Sequence, residues 1–167
     1  MSHSDEGWSL QSTDGTTYGP FTAVVSTAPA PQTAPLLAPH SAALAARTEA
    51  AQMLPCFCLM LAFDEPVDAP FDAIQSTTPP LSWVARNSSK PGRTGSDCWV
   101  LHADPAWSRA NLHAEPGFVR FEMLETFVSL TGEAAEPSWM SLHRWRYARA
   151  DGCLLYTSPS PRDFVRS

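Results

Sequence analysis

The sequence predicts an α+β fold: a mixed, mostly antiparallel sheet with flanking helices. Three observations predict it. Sixteen prolines are spread through 167 residues, too many for a helical bundle. Short apolar or β-branched runs recur between turn signals. The strand-like and helix-like segments fall in the order strands, helix, strands, helix, strand, without the strict alternation of a doubly wound sheet.

Trp8–Leu10 and Tyr18–Phe21 flank Asp14-Gly15 and read as a hairpin. Thr22–Thr27 (TAVVST) is a β-branched run expected to form a buried strand. Ala28–Pro39 carries four prolines, so the chain turns there and forms at most a short helix. Ser41–Met53 is alanine-rich, with Ser41 placed to cap a helix. Leu54–Phe63 (LPCFCLMLAF) suits a strand buried on both faces. Asp64–Thr78 reads as a loop with an edge element.

Leu81–Ala85 and Trp99–Ala103 read as two strands around a polar loop, Arg86–Asp97. Asp104-Pro105 is an N-cap followed by proline at the first helical position, opening a short helix through Leu112. Pro116–Leu130 is the clearest helix, with Phe118, Phe121, Leu124 and Val128 as its expected core stripe and Thr131-Gly132 as its stop. Ser138–Ala148 (SWMSLHRWRYA) reads as a last strand.

The bulk properties exclude several classes. A net charge of −6 leaves no basic surface for nucleic acid. No apolar run reaches the roughly 20 residues of a membrane span. The first ten residues lack the layout of a signal peptide. Cys56, Cys58, Cys98 and Cys153 show no CxxC spacing, and reduced, buried thiols in a cytoplasmic protein are expected. No histidine or cysteine spacing suggests a metal site, and no G-x-S-x-G elbow suggests a hydrolase. Cys153–Asp163 (CLLYTSPSPRD) is similar to a translated transposon-type sequencing adapter. On that reading residues 151–167 are an artefactual, disordered tail; the alternative is a natural Ser/Pro-rich tail.

The segment Pro80–Ser108 is the richest in candidate site residues. Its loop holds Arg86, Asn87, Ser88, Ser89, Lys90 and Arg93; Trp83, Trp99 and Trp107 surround it, and His102 lies on the returning strand. So many hydrogen-bonding groups and indoles suggest a ligand-pocket wall.

Three blocks carry a family resemblance: VVSTAPAPQ (24–32), SWVARNSSKPGR with WVLHADPAWS (82–108), and HRWRYA (143–148). In order and spacing they resemble the bacterial branch of the renalase-like flavoproteins, within the flavin-containing amine oxidase superfamily. The resemblance implies a dinucleotide-binding domain holding FAD and a substrate domain whose sheet roofs the flavin. It implies hydride transfer from a small-molecule substrate to FAD, with oxygen as acceptor. For renalases the substrates are reduced nicotinamide dinucleotide isomers.

On this reading residues 1–32 end the FAD-binding domain and 33–150 form the substrate domain. The G-x-G-x-x-G turn of a full member is absent, since no two of the eight glycines make a G-x-G. The chain therefore resembles an internal fragment, inactive by itself. A non-catalytic α+β binding domain, or an oxidase of amines or other small molecules, are the alternatives.

The resemblance also assigns roles. Thr27, Ala28 and Pro29 would pass close to the cofactor; alternatively they begin a proline-rich linker. Asn87 would bond a substrate carboxamide through its amide, or simply form a turn. Lys90 and Arg93 would meet substrate phosphates, or be solvated surface cations. His102 would orient the substrate near the flavin, or be a core histidine. Trp145 would stack on the nicotinamide, with Trp83 as a further wall; packing is the alternative. On a strand, Arg144 and Arg146 face away from Trp145.

Overall fold

The computed structural model describes residues 1–132 and 136–151. The tail segment 153–163 lies outside them. The chain divides into two compact units, Met1–Met53 and Leu54 onward. The expected boundary at residue 32 falls inside a helix, Ala30–Leu37, whose partner helix runs to Glu49, so the first unit extends to Met53.

The first unit opens with an antiparallel three-stranded sheet: β1 (Ser2–Ser4), β2 (Gly7–Gln11) and β3 (Thr17–Phe21). The predicted hairpin is β2–β3, and the Asp14 carboxylate closes its turn by accepting from the Thr16 amide at 2.9 Å and from the Ser12 hydroxyl. Gly7 and Gly19 let these strands approach. A Cβ would lie 2.7 Å from the Phe21 carbonyl oxygen at Gly7 and 2.6 Å from that of Trp8 at Gly19. Both also have positive φ (126° and 128°), which favours glycine.

Residues 22–27 correct the expectation of a buried strand. They lie outside any sheet, and Val25 is 85% exposed. β-branched residues favour a strand only where a neighbour supplies hydrogen bonds, and no described strand lies beside this run. α1 (Ala30–Leu37) and α2 (Ala42–Glu49) follow. Ser41 caps α2 as expected, accepting from the Leu44 amide at 3.3 Å.

The second unit is a five-stranded sheet with one large helix. Its strands are β4 (Met53–Phe63), β5 (Ala73–Gln75), β6 (Leu81–Arg86), β7 (Asp97–Ala103) and β8 (Trp139–Ala150), in spatial order β5-β6-β7-β4-β8. The β5–β6, β6–β7 and β7–β4 pairs are antiparallel. α3 (Pro105–Ala110) follows β7, and α4 (Pro116–Thr131) precedes β8. Asp104 caps α3 as expected, one carboxylate oxygen accepting from the amides of Ala106 (2.8 Å) and Trp107 (3.0 Å).

One face of this sheet is the core. Phe57, Leu59, Leu61 and Phe63 of β4 meet Trp99 and Leu101 of β7, and α4 covers them with Val119, Met123 and Phe127. Phe127 lies 5.2 Å from Trp99 and 6.0 Å from Phe63, centroid to centroid. This corrects part of the expected stripe of α4: Leu124 packs against the core, but Phe118 and Phe121 are 47% and 59% exposed. Apolar residues occur around most of α4, so the stripe that packs is the one facing the indole and phenyl rings of the sheet. Gly132, with φ 76°, ends the helix as expected, donating to the Val128 carbonyl at 2.8 Å.

Candidate functional site: the uncovered sheet face

The opposite sheet face holds the site. Along β7, Trp99 and Leu101 point to the core, so Val100 and His102 point away from it. On β6, simple alternation would send Trp83 to the same side as the buried Leu81. A register shift lies between these two residues, and beyond it Trp83 pairs with His102. The bulge turns Trp83 outward, 42% exposed against 1% for Leu81. From β8, Trp145 and Tyr147 join with 54% and 39% exposure.

These residues line one groove of about 780 Å³. It runs from Gln75 on β5, past Trp83 and His102, to Trp145 and Arg149 on β8. Thus three predicted site residues, Trp83, His102 and Trp145, line the same groove. Burial pushes the His102 imidazole below its ordinary value, which leaves it neutral at pH 7. Beside it on β4, burial raises the thiol of Cys58 to about 11; the thiol of Cys56 is likewise raised by burial, although its bond to the Ala103 carbonyl opposes this. Neither cysteine is an activated nucleophile.

The polar loop is built for a different task. Asp97, 8% exposed, accepts from Ser88 Oγ (2.6 Å), Trp99 Nε1 (2.9 Å) and the Val67 amide (3.0 Å). Arg86 Nε lies 3.5 Å from Oδ1, the oxygen that also accepts from Ser88, while the guanidinium donates to the Val67 carbonyl and sits 4.7 Å over the Trp99 ring. Burial pushes the Asp97 carboxyl up, but these bonds and the Arg86 charge outweigh it and hold the group below its ordinary value. Arg86 and Ser88 therefore tie the loop to the core.

Asn87 and Arg93 line a separate hollow of about 410 Å³ beside Cys98. Cys98 is at the other end of β7 from His102, roughly 13 Å along the strand at about 3.3 Å per residue. Lys90 is exposed and does not line the groove. The structure thus does not bring Asn87, Lys90 or Arg93 to His102. Nothing in composition marks this division, because buried and ligand-facing polar groups use the same residue types.

Thr27, Ala28 and Pro29 belong to the first unit. The Ala28 carbonyl accepts from Thr33 Oγ1 at 2.8 Å, and Pro29 begins α1. A flavin dinucleotide needs backbone amides converging on its pyrophosphate. Here Pro31 has no N–H, and the Gln32 and Thr33 amides both turn back to the Pro29 carbonyl at 2.9 Å. These residues do not fit a pyrophosphate cradle.

Sequence reasoning did not find Arg149, Gln75 or Tyr147. Alternation along HRWRYA would have found Tyr147 and Arg149, which are two and four residues beyond Trp145. Gln75 carried no signal, because β5 is three residues long.

No protein-family model matches the chain. Its fold is similar to the crystal structure of a protein assigned as a protoporphyrinogen oxidase from Exiguobacterium sp. 255-15, with a TM-score of 0.64 and 16% identity over 89% of this chain. The chain spans about a third of that protein's length (34%). The likeness is one of fold. No helix among the described residues is long and apolar enough to cross a membrane.

Proposed function

We propose that this chain supplies the substrate-facing sheet of a flavin-dependent oxidoreductase, renalase-like in its motifs. The reaction is oxidation of a reduced nicotinamide-type ring by hydride transfer to FAD, with oxygen as acceptor. The fold likeness to an oxidase-named protein about three times as long supports an oxidoreductase. The FAD pyrophosphate would be held elsewhere in a protein of that length, because the amides beside Thr27–Pro29 do not converge on one.

One observation carries the reading: two exposed tryptophans and a neutral imidazole line one groove on the sheet face that α4 leaves uncovered. Flat indoles stack on a flat ring at small entropic cost and exclude water from it. A neutral His102 accepts or donates one hydrogen bond, which orients a carboxamide without adding charge. Removing a hydride from such a ring needs no strong base, and the groove holds no activated acid–base pair.

The test is titration of the chain with reduced nicotinamide mononucleotide while tryptophan fluorescence is followed. Saturable quenching that Trp145→Ala weakens at least tenfold is expected. Absence of saturable quenching would refute the nicotinamide reading. A second reading, an oxidase of amines or other small molecules, is favoured by the position of Lys90 and Arg93 outside the groove. Saturable quenching by benzylamine in place of the nucleotide would establish it.

A further inference from the structure

We infer that Arg149 is the anion anchor of this groove, and that the groove takes a ring joined through a sugar to a phosphate, with the ring at His102 and the phosphate at β8. The inference rests on the nicotinamide reading and assigns the phosphate contact to a residue that the family motifs do not mark. Most polar groups along the groove are already engaged. The Asp104 carboxylate caps α3. Ser82 Oγ donates to the His102 carbonyl at 3.3 Å, and Ser76 Oγ to that of Thr78 at 3.3 Å. Among the described residues, the side chains of Gln75, Trp83, His102, Trp145, Tyr147 and Arg149 have no such partner.

Of these, only Arg149 carries charge at pH 7. It forms no ion pair among the described residues, although Asp104 lines the same groove. An exposed guanidinium with five donors, lining the same groove as Trp145 and Tyr147, matches phosphate geometry. The spacing fits as well. β8 lies two strands from β7, about 10 Å at ordinary strand separation. A ring, a pentose and a phosphate in series can cover that span. Lys90 and Arg93, near the far end of β7, are excluded from this role.

The experiment compares two ligands on the full chain by isothermal titration calorimetry at low salt. Reduced nicotinamide mononucleotide carries the phosphate, and N-benzyl-1,4-dihydronicotinamide carries the same ring without it. Arg149→Gln is expected to weaken the nucleotide at least tenfold and leave the benzyl compound unchanged. Arg149→Lys should recover part of the loss, and Arg93→Gln should change neither. Circular dichroism of each variant checks the fold; should Arg149→Gln fail to fold, loss of the nucleotide's advantage in 0.5 M salt on the unaltered chain reads the same contact. If both ligands bind and neither Arg149→Gln nor salt discriminates between them, the anchor assignment is wrong. If neither ligand binds, the nicotinamide reading itself fails and the anchor with it.

Discussion

Asp97 gathers three hydrogen bonds and one guanidinium in the space between a loop and the core, and so ties Ser88, Val67, Trp99 and Arg86 together. Asp97→Asn keeps the shape but removes the charge that Arg86 faces. A cost of about 2–4 kcal/mol in urea unfolding at pH 7 is expected, since a buried charge loses its partner. The folded carboxyl is held below its ordinary value. Its contribution is therefore present above the unfolded value, about 3.9, and is lost as pH falls through the folded value. His102 runs the same way, in a higher pH window. Its folded state resists protonation, so stability falls as pH drops below about 6.5, the unfolded value. Proton NMR of the His102 ring should give a midpoint below that of the unfolded chain, and His102→Gln should remove that part of the acid sensitivity.

At the scale of elements, α4 gives the clearest contrast between two apolar stripes. Met123→Ala should cost about 2–4 kcal/mol in chemical denaturation, because Met123 is fully buried against the sheet. Phe121→Ala should change stability by less than about 0.5 kcal/mol, as an exposed ring makes few contacts to lose. Much of this architecture was legible in the sequence. Ser41, Asp104 and Gly132 signal helix ends because capping is local chemistry. β4 announces itself as a strand through its apolar run, but not as one buried on both faces: Cys56, Met60 and Ala62, on the face away from the core, are only half-buried. The failures share one cause: partners distant in sequence. Which stripe of α4 packs depends on where Trp99 and Phe63 lie. Whether residues 22–27 form a strand depends on a neighbour. For the groove, the aromatic and imidazole positions were legible, while the bulge between Leu81 and Trp83 and the inward use of Arg86 and Ser88 were not.

For the whole molecule, the two units differ sharply in burial. The second has a continuous core of thirteen residues. In the first, Thr33, Ala34 and Ala45 are the buried residues, all of them small. So little apolar burial gives little protection against opening. Hydrogen exchange should therefore be fast throughout β1–β3, α1 and α2, and slow by several orders of magnitude in β4 and β7. Comparable protection in both units would contradict this account. Mixing the purified chain with FAD should leave the free-flavin spectrum unchanged, because the amides at the start of α1 turn back to the Pro29 carbonyl and do not converge on a pyrophosphate.

β8 ends the five-stranded sheet, twelve residues long and exposed along most of its length. Such an edge offers unpaired amides and carbonyls to any other strand, which makes it a template for aggregation. Arg144, Arg146 and Arg149 punctuate it. Arg144 is also tethered to the Leu112 carbonyl at 2.6 Å, which leaves Arg146 as the charge most free to repel an incoming copy. The arginines of HRWRYA thus guard solubility on the side of the strand that Trp145 does not use. Arg146→Val should raise light scattering with protein concentration while leaving ligand titrations of the groove unchanged.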